Sequence, residues 1–526
     1  MTAGSKNKEI LKNLSVVSFY TFISRILGLF RDVVIAYFFG AGYFTDAFFV
    51  AFRIPNLLRR LFGEGGISAA FIPVYSDNIV NKSKEQSEDL LMTVFTILFV
   101  ILLLLSLIGV IFSSFFVTIT APGFIGKHLE YNLTVFLTRI MFPYIILIGL
   151  TAFFAGILNV HGSYGPGAFY PIILNIVLIL SAIFLRSFFH FKIISLAIGV
   201  IIGGILQLSS QLYYIKYKKI KLGFRFHIKN KDVKTVFRLL TPSLLGMAVI
   251  QLNLLFDTLL ASFLPVGSIS YLYYADRLYQ FPLGVFAIAL QTAIFPVMSA
   301  SFARQNNEEI RHSFNFATSL MFFIIIPSSI GLILLRSQLV DLIYMHGLFN
   351  SFDAKQTVSV LLFFIIGLWA SALLKTVVPV FYSMKDTKTP VNAAIYALII
   401  NIVLAVILMK FLGVDGLALA SSISLIFNYF FLLNKISIKN KFKLNKEFLV
   451  SFFKTICAGI IMGVLVEFVI IESMQFRLSL IFIIAISLIV GMLSYIGASF
   501  AVKNEILKLL YNNIFKKNKP GPSLLK

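Results

Sequence analysis

Long apolar runs dominate the hydrophobic pattern of this chain. From about residue 14 to about residue 500, stretches of eighteen or more mostly apolar positions alternate with short polar turns. A helix rising 1.5 Å per residue needs about twenty such residues to cross a hydrocarbon core of roughly 30 Å, and one that is apolar on every side has no face for water. The pattern predicts helical spans near residues 14–39, 44–79, 89–117, 132–160, 168–188, 193–215, 235–263, 268–302, 312–335, 357–383, 390–411, 416–434, 448–471 and 478–500. The expected fold class is therefore an all-α polytopic membrane protein of about 14 transmembrane helices. The polar stretch Met1 to Asn13 lacks the short apolar segment and small-residue cleavage site of a signal peptide, so the first span is expected to be retained.

Composition removes the soluble alternative. Of 526 residues 59% are hydrophobic and 13% charged, whereas soluble domains are about half apolar and a quarter charged. The single cysteine, Cys457, offers no disulfide framework and no thiolate metal site. A net charge of +23 would favour nucleic acid in a soluble protein, but here its position speaks for topology. Lys216, Lys218, Lys219, Lys221, Arg225, Lys229, Lys231 and Lys234 follow the sixth span, and Lys435, Lys439, Lys441, Lys443 and Lys446 follow the twelfth. The odd-numbered loops share only Lys127, Arg186, Lys192, Arg336, Lys355, Lys410 and Arg477. Basic residues accumulate in cytoplasmic loops, so both termini and the even loops are expected in the cytoplasm, with membrane lipids rather than nucleic acid as the surroundings.

The chain also repeats itself. Gly42 to Ser76 carries a glycine turn, Arg53, Pro55 and Phe71-Ile-Pro-Val-Tyr-Ser76; Gly267 to Ser299 carries a glycine turn, Arg277, Pro282 and Ile294-Phe-Pro-Val-Met-Ser299. Asn175-Ile-Val-Leu178 returns as Asn401-Ile-Val-Leu404, and the offset stays at about 225 residues throughout. Six intervening spans, an even number, give both copies the same orientation, as in parallel-repeat transporters. Expected domains are an N-terminal lobe over 1–220, a C-terminal lobe over 221–440, and two last helices with a basic tail over 441–526. These are two pseudo-symmetric six-helix lobes plus two C-terminal helices.

Charges inside apolar spans supply the candidate chemistry. Arg25, Gly28 and Asp32 follow i, i+3, i+7 spacing along the first span, with Arg31 beside them. The second span carries Asp46, Arg53, Arg59, Arg60 and Glu64 ahead of Gly65 and Gly66, an interruption tolerated at membrane depth only beside protein or water. Asp276 and Arg277 follow Tyr271, Tyr273 and Tyr274 in the eighth span. Each central arginine opposes insertion by roughly 2.5–3.5 kcal/mol, so Arg25, Arg31 and Arg277 together cost about 8–10 kcal/mol unless hydrated or paired. A purely structural reading pairs Arg31 with Asp32 and Asp276 with Arg277, and leaves Arg59 and Arg60 snorkelling at the cytoplasmic interface. A functional reading sets the planar guanidinium fork against phosphate or carboxylate oxygens.

Other chemistries lack residues. The six histidines are scattered in or near loops without HExxH spacing, and neither a GxxxxGK[ST] loop nor a nucleotide-binding domain appears. No cofactor is expected, and energy is expected from a gradient or the membrane potential. Asp257, with Asn401 and Ser421, is a candidate cation site, the alternative being a satisfied polar helix contact.

The run Ser24-Arg-Ile-Leu-Gly-Leu-Phe-Arg-Asp32, with Phe39-Gly-Ala-Gly42, Thr45-Asp-Ala-Phe-Phe49, Pro55-Asn-Leu-Leu-Arg-Arg60 and Phe71-Ile-Pro73, resembles the N-terminal signature of the MurJ/MviN family of lipid II flippases. Tyr273-Tyr-Ala-Asp-Arg277 with Phe281-Pro282, and Phe381-Tyr-Ser383 with Lys388-Thr-Pro390, are similar to that family's later motifs. The resemblance runs to about Ser424 and implies the fold of the multidrug/oligosaccharidyl-lipid/polysaccharide exporter superfamily. It implies a non-enzymatic flippase of the bacterial inner membrane carrying lipid II, the undecaprenyl-diphosphate-linked peptidoglycan precursor, in cell-wall synthesis. Arg25, Arg31, Arg59 and Arg277, with Asp46, are the implied substrate-binding residues; Arg53, Arg60, Glu64 and Asp276 are further cavity candidates. The last two helices are implied as the groove for the polyprenyl tail. A sodium site of some members falls on Asp257, Asn401 and Ser421, but Ala405 stands where an acidic or amide side chain is expected.

These residues predict alternating access by a monomer, with the cell-wall synthesis machinery as a partner and the membrane potential or Na+ as drive. A multidrug or polysaccharide-lipid exporter of the same superfamily is the nearest alternative; for the multidrug case the arginines argue against cationic drugs. A membrane enzyme acting on polyprenyl phosphates is disfavoured by its scattered carboxylates. A non-transporting scaffold would keep the same helices.

Overall fold

The computed structural model describes residues 3–61, 67–227, 229–304, 306–440 and 446–515. They form helices grouped in two compact units, Met1–Tyr271 with His346–Asp353, and Leu272–Met345 with Ala354–Lys526.

The first unit is built from α1 (Ala3–Phe39), α2 (Tyr43–Leu61), α3 (Ile67–Asn81), α4 (Lys84–Ile111), α5 (Ser113–Thr120), α6 (His128–Met141), α7 (Tyr144–Val160), α8 (Gly165–Leu180), α9 (Ile194–Tyr217) and α10 (Lys231–Ala261). Its second predicted span is two helices, α2 and α3, and its fourth breaks at Phe142 and Pro143, where the ring removes a backbone donor. Polar residues set the starts. Ser83 and Gln86 exchange side-chain and backbone hydrogen bonds at 3.3 Å in a capping box that opens α4, and Asn230 accepts from Asp232 N at 2.9 Å to open α10. The repeat divides the chain near residue 220, yet α10 packs on α3 and groups with the helices before it. Phe71, Tyr75, Phe95, Phe153 and Phe154 stack in the core of this unit.

The second unit receives α11 (Ser268–Pro282) after its first turn, then α12 (Ile288–Ala303), α13 (Asn307–Ile343), α14 (Ser351–Ile366), α15 (Leu368–Ser383), α16 (Lys388–Leu412), α17 (Val414–Asn440), α18 (Lys446–Gln475), α19 (Leu480–Ala501) and α20 (Glu505–Phe515). A π-helical turn, Leu283–Ala287, follows Pro282 and joins α11 to α12. The core here packs α18 and α19 against α13, with Tyr495 Oη donating to the Phe323 carbonyl at 2.6 Å.

Ten helical segments among the described residues are long and apolar enough to cross a membrane; α14 with α15, bent by 41° at their break, makes eleven. Neither α1 nor α2 is in that set, because α1 carries Arg25, Arg31 and Asp32 and α2 carries Asp46, Arg53, Arg59 and Arg60. Large apolar side chains such as Leu104, Ile111, Phe411, Phe468 and Phe500 are exposed, as a surface facing lipid requires.

Candidate functional site

On α1 the two central arginines have different surroundings. Arg31 Nε and Nη2 both donate to Asp32 Oδ1, at 3.0 and 2.7 Å, and Nη1 donates to Asn175 Oδ1 of α8 at 3.0 Å. The Asn175 amide returns to α1 by donating to the Ser24 carbonyl at 3.0 Å. Asp32 is 1% exposed and Arg31 13%, so this ion pair is largely desolvated and fastens α8 to α1. The structural reading of Arg31 with Asp32 is thus correct as far as the pair goes. Gly28 lies against the same amide, where an added Cβ would meet Asn175 Nδ2 at an ordinary 3.7 Å. Arg25 is exposed on the same helix and makes no ion pair or hydrogen bond among the described residues.

Asp46, in the first turn of α2, is buried and accepts from Gly267 N at 2.6 Å, Ser270 N at 2.8 Å and Ser270 Oγ at 2.5 Å. These donors stand at the N-terminus of α11, where unpaired amides and the helix dipole favour an anion. Beside them Tyr271 Oη donates to Asp353 Oδ1 at 3.0 Å, and Leu348 N donates to the Tyr37 carbonyl at 2.9 Å. Gly347 makes that last approach workable: its φ is +61°, and a Cβ there would sit 2.3 Å from Tyr37 O. The helix ends and loops at Tyr37, Asp46, Gly267 and Leu348 are thus tied together within the first unit.

In the second unit Arg277 Nη2 donates to Tyr273 Oη at 3.0 Å, and the guanidinium carbon lies 4.6 Å from that ring's centre. The two residues are one helical turn apart on α11, so the tyrosine run supplies both a hydrogen-bond acceptor and a π face. Asp276 accepts from Gln280 on the same helix. Ser421 Oγ and Asn401 Oδ1 lie 3.4 Å apart between α17 and α16, and Ala405 is fully buried. Asp257 belongs to α10 of the first unit. Among the described residues no three His, Cys, Asp or Glu side chains are grouped to hold a metal ion. Arg53 is half-buried on α2. The side chains of Arg59 and Arg60, and Glu64 with Gly65 and Gly66, lie outside the described residues.

Sequence reasoning missed Asn175 as the third partner of Arg31, although its repeated Asn-Ile-Val-Leu motif was the available signal. It also missed Gly267 and Ser270 as the donors to Asp46, a contact bridging more than 220 positions that only folding brings together.

The family described as lipid II flippase MurJ matches residues 35–489. A probable lipid II flippase MurJ of Buchnera aphidicola subsp. Baizongia pistaciae is 36% identical over 457 residues, covering 87% of this chain and 89% of that protein. One of Vibrio cholerae is 37% identical over 448 residues, covering 84% and 85%. The solved structure "Lipid II flippase MurJ, inward closed conformation" superposes with a TM-score of 0.79 at 33% identity, over 95% of this chain and 99% of that one. A multidrug resistance MATE transporter of the MOP superfamily, at 14% identity and a TM-score of 0.65 over 81% of this chain and 98% of its own, shares the fold. With the family match covering most of its length and relatives more than 30% identical over most of both chains, this chain belongs to the MurJ family of lipid II flippases.

Proposed function

We propose that this lipid II flippase serves peptidoglycan synthesis by moving the undecaprenyl-diphosphate-linked headgroup from the cytoplasmic to the periplasmic leaflet through alternating access, with Arg25, Arg31, Arg59 and Arg277 as the groups that meet the diphosphate. The observation that carries the reading is the contrast on α1: Arg31 is neutralised by Asp32 and held by Asn175, whereas Arg25 stands exposed without a partner among the described residues. A charge kept at that depth with no internal counter-ion is retained against an insertion cost of roughly 2.5–3.5 kcal/mol, and an anionic ligand would offset it. Arg277, presented by Tyr273, supplies a second planar fork for phosphate oxygens. Arg31 would exchange Asn175 for the substrate while Asp32 keeps it ionised and oriented.

Eleven apolar spans, together with α1, the α2–α3 pair and α10, give fourteen crossings with both termini in the cytoplasm, in keeping with the basic even loops. The ends of α1, α2 and α10 then lie on the periplasmic side, and the contacts of Asp46 with Gly267 and Ser270, with those of Asp353 and Leu348, act as a latch. In this reading Asp46 positions the N-terminus of α11 rather than touching the headgroup. The single chain works as a monomer alongside the cell-wall synthesis machinery, and requires no covalent step. With the cell interior negative, expelling an anion is favoured by roughly 2.3 kcal/mol per charge per 100 mV, so the potential can drive the cycle. With Ala405 standing where an acidic or amide ligand is expected, the set Asp257, Asn401 and Ser421 is one ligand short, so exchange of Na+ for K+ is expected to leave transport unchanged.

The test is exposure of labelled lipid II to an outside-acting enzyme in proteoliposomes. Arg25→Ala is expected to reduce translocation at least tenfold with the protein folded; translocation at the full rate would overturn the assignment.

A further inference from the structure

A cavity of about 450 Å³ opens on the outside of the first unit, away from the arginines of α1. Ile97, Val100 and Ile101 of α4, Val233 and Phe237 of α10 and Phe226 of the intervening loop line it, and Lys234 is the one polar residue of the lining. That volume is within the range of about 300–1,000 Å³ usual for small-ligand sites. Val100 and Phe226 are 38% and 66% exposed, so the cavity is open to lipid.

The loop forming one wall is pinned. Arg225 N donates to Thr96 Oγ1 at 2.9 Å; Asp89 accepts from Arg225 Nη1, His227 Nδ1 and Asn230 Nδ2 at 3.1, 3.0 and 3.2 Å; and Phe224 packs on Phe95 and Phe99. Three acids near this loop are already paired: Asp89 with Arg225 and His227, Asp232 with Lys82, Glu88 with Lys221; Glu85 stands at the far start of α4. Lys231, Lys234 and Arg238 follow i, i+3, i+7 along α10, all exposed, and none has an ion pair or hydrogen bond of its side chain among the described residues. A stripe of three uncompensated cations therefore borders an apolar cavity. On α4 the apolar run begins at Leu90, which places Ile97 about 10 Å into it at 1.5 Å per residue.

From this arrangement we infer that the cavity holds an acyl chain of an anionic glycerophospholipid of the host leaflet, with its phosphate on Lys231, Lys234 and Arg238. The inference goes beyond substrate transport, because none of these residues is among the proposed diphosphate ligands. Charge complementarity selects the occupant. A zwitterionic lipid would satisfy the apolar lining but bring no net charge to the stripe, and the substrate is assigned to Arg25, Arg31, Arg59 and Arg277. A bound phospholipid would fix the start of α10, whose far end lies near the latch.

The test uses the full chain in nanodiscs of phosphatidylcholine containing a photo-crosslinkable phosphatidylglycerol, with labelled peptides mapped by mass spectrometry. Labelling is expected within 97–101 and 226–237. Replacement K231Q/K234Q/R238Q, on an exposed face and so compatible with folding, is expected to raise the half-saturating phosphatidylglycerol fraction at least tenfold; each basic residue near an anionic surface is worth about fivefold. Val100→Trp, which narrows the cavity, is expected to lower labelling with the charge stripe intact. Equal labelling by a crosslinkable phosphatidylcholine, an unchanged half-saturation in the triple variant, or displacement by undecaprenyl phosphate but not by excess phosphatidylglycerol would each overturn the proposal.

Discussion

The two copies of the internal repeat use the same motif differently. In the first, Asn175 reaches α1, accepting from Arg31 and donating to the Ser24 carbonyl; in the second, Asn401 faces Ser421 of the adjacent α17 at 3.4 Å. In the first, Tyr75 of Phe71-Ile-Pro-Val-Tyr-Ser76 lies with its hydroxyl 3.3 Å from His161 Nε2, whereas the corresponding position is an apolar, fully buried Met298. The difference teaches that the repeat specifies where a small polar group meets a neighbouring helix, while the charge next to it decides its task. In the first copy the asparagine completes the hydrogen bonding of a desolvated ion pair; in the second it meets the hydroxyl of a neighbouring helix.

The sharpest way to break this comparison is to remove the arginine from each copy. Arg31→Ala leaves Asp32 buried without its counter-charge and is expected to cost about 3–5 kcal/mol, read as thermal unfolding in detergent. Arg277→Ala removes the donor to the Tyr273 hydroxyl and is expected to destabilise less than Arg31→Ala while strongly lowering transport. Equal destabilisation by the two would remove the distinction. Next, Asn175→Ala orphans two polar partners and should destabilise by about 1–3 kcal/mol, against about 0.5–1.5 kcal/mol for Asn401→Ala.

A smaller effect follows from pH. His161 lies in the turn after α7, where burial pushes its imidazole below the usual 6.5 and nearby Lys218 pushes it further. Its folded-state affinity for a proton is thus lower than in the unfolded chain, so its contribution is full above pH 6.5 and is lost as pH falls from 6.5 through its depressed value. The unfolding free energy of the wild-type chain should therefore fall more steeply from pH 7 to pH 5 than that of His161→Gln; parallel curves would show that the imidazole is not the titrating group. The smallest change is expected from Gly28→Ala, whose Cβ would meet Asn175 at an ordinary 3.7 Å, leaving stability within about 0.5 kcal/mol. A large loss there would mean that the seat of Asn175 is tighter than its geometry indicates.

Much of the fold was legible along the chain because a bilayer imposes length and apolarity on each span separately. The breaks were less so: the second span divides into α2 and α3, and the tenth bends by 41°. Glycine and proline positions hinted at these interruptions, but their angles depend on what packs alongside. Of the site, Arg25, Arg31, Asp46 and Arg277 were visible as charges in apolar surroundings. Their partners were not, since Asn175 is 144 positions from Arg31 and Ser270 is 224 from Asp46.

The sequence by itself determined that this chain crosses a membrane many times, carries a duplicated pattern, places its loop charge asymmetrically and retains cations where lipid opposes them. Each follows from local composition and spacing, which the apolar solvent reads one helix at a time. Only the tertiary structure decided which charges are already spent. Pairing at 2.7 Å neutralises Arg31, and three donors at the start of α11 hold Asp46, while Arg25 is left exposed. Hydrogen bonds act over about 3 Å, a distance set by folding and not by separation along the chain.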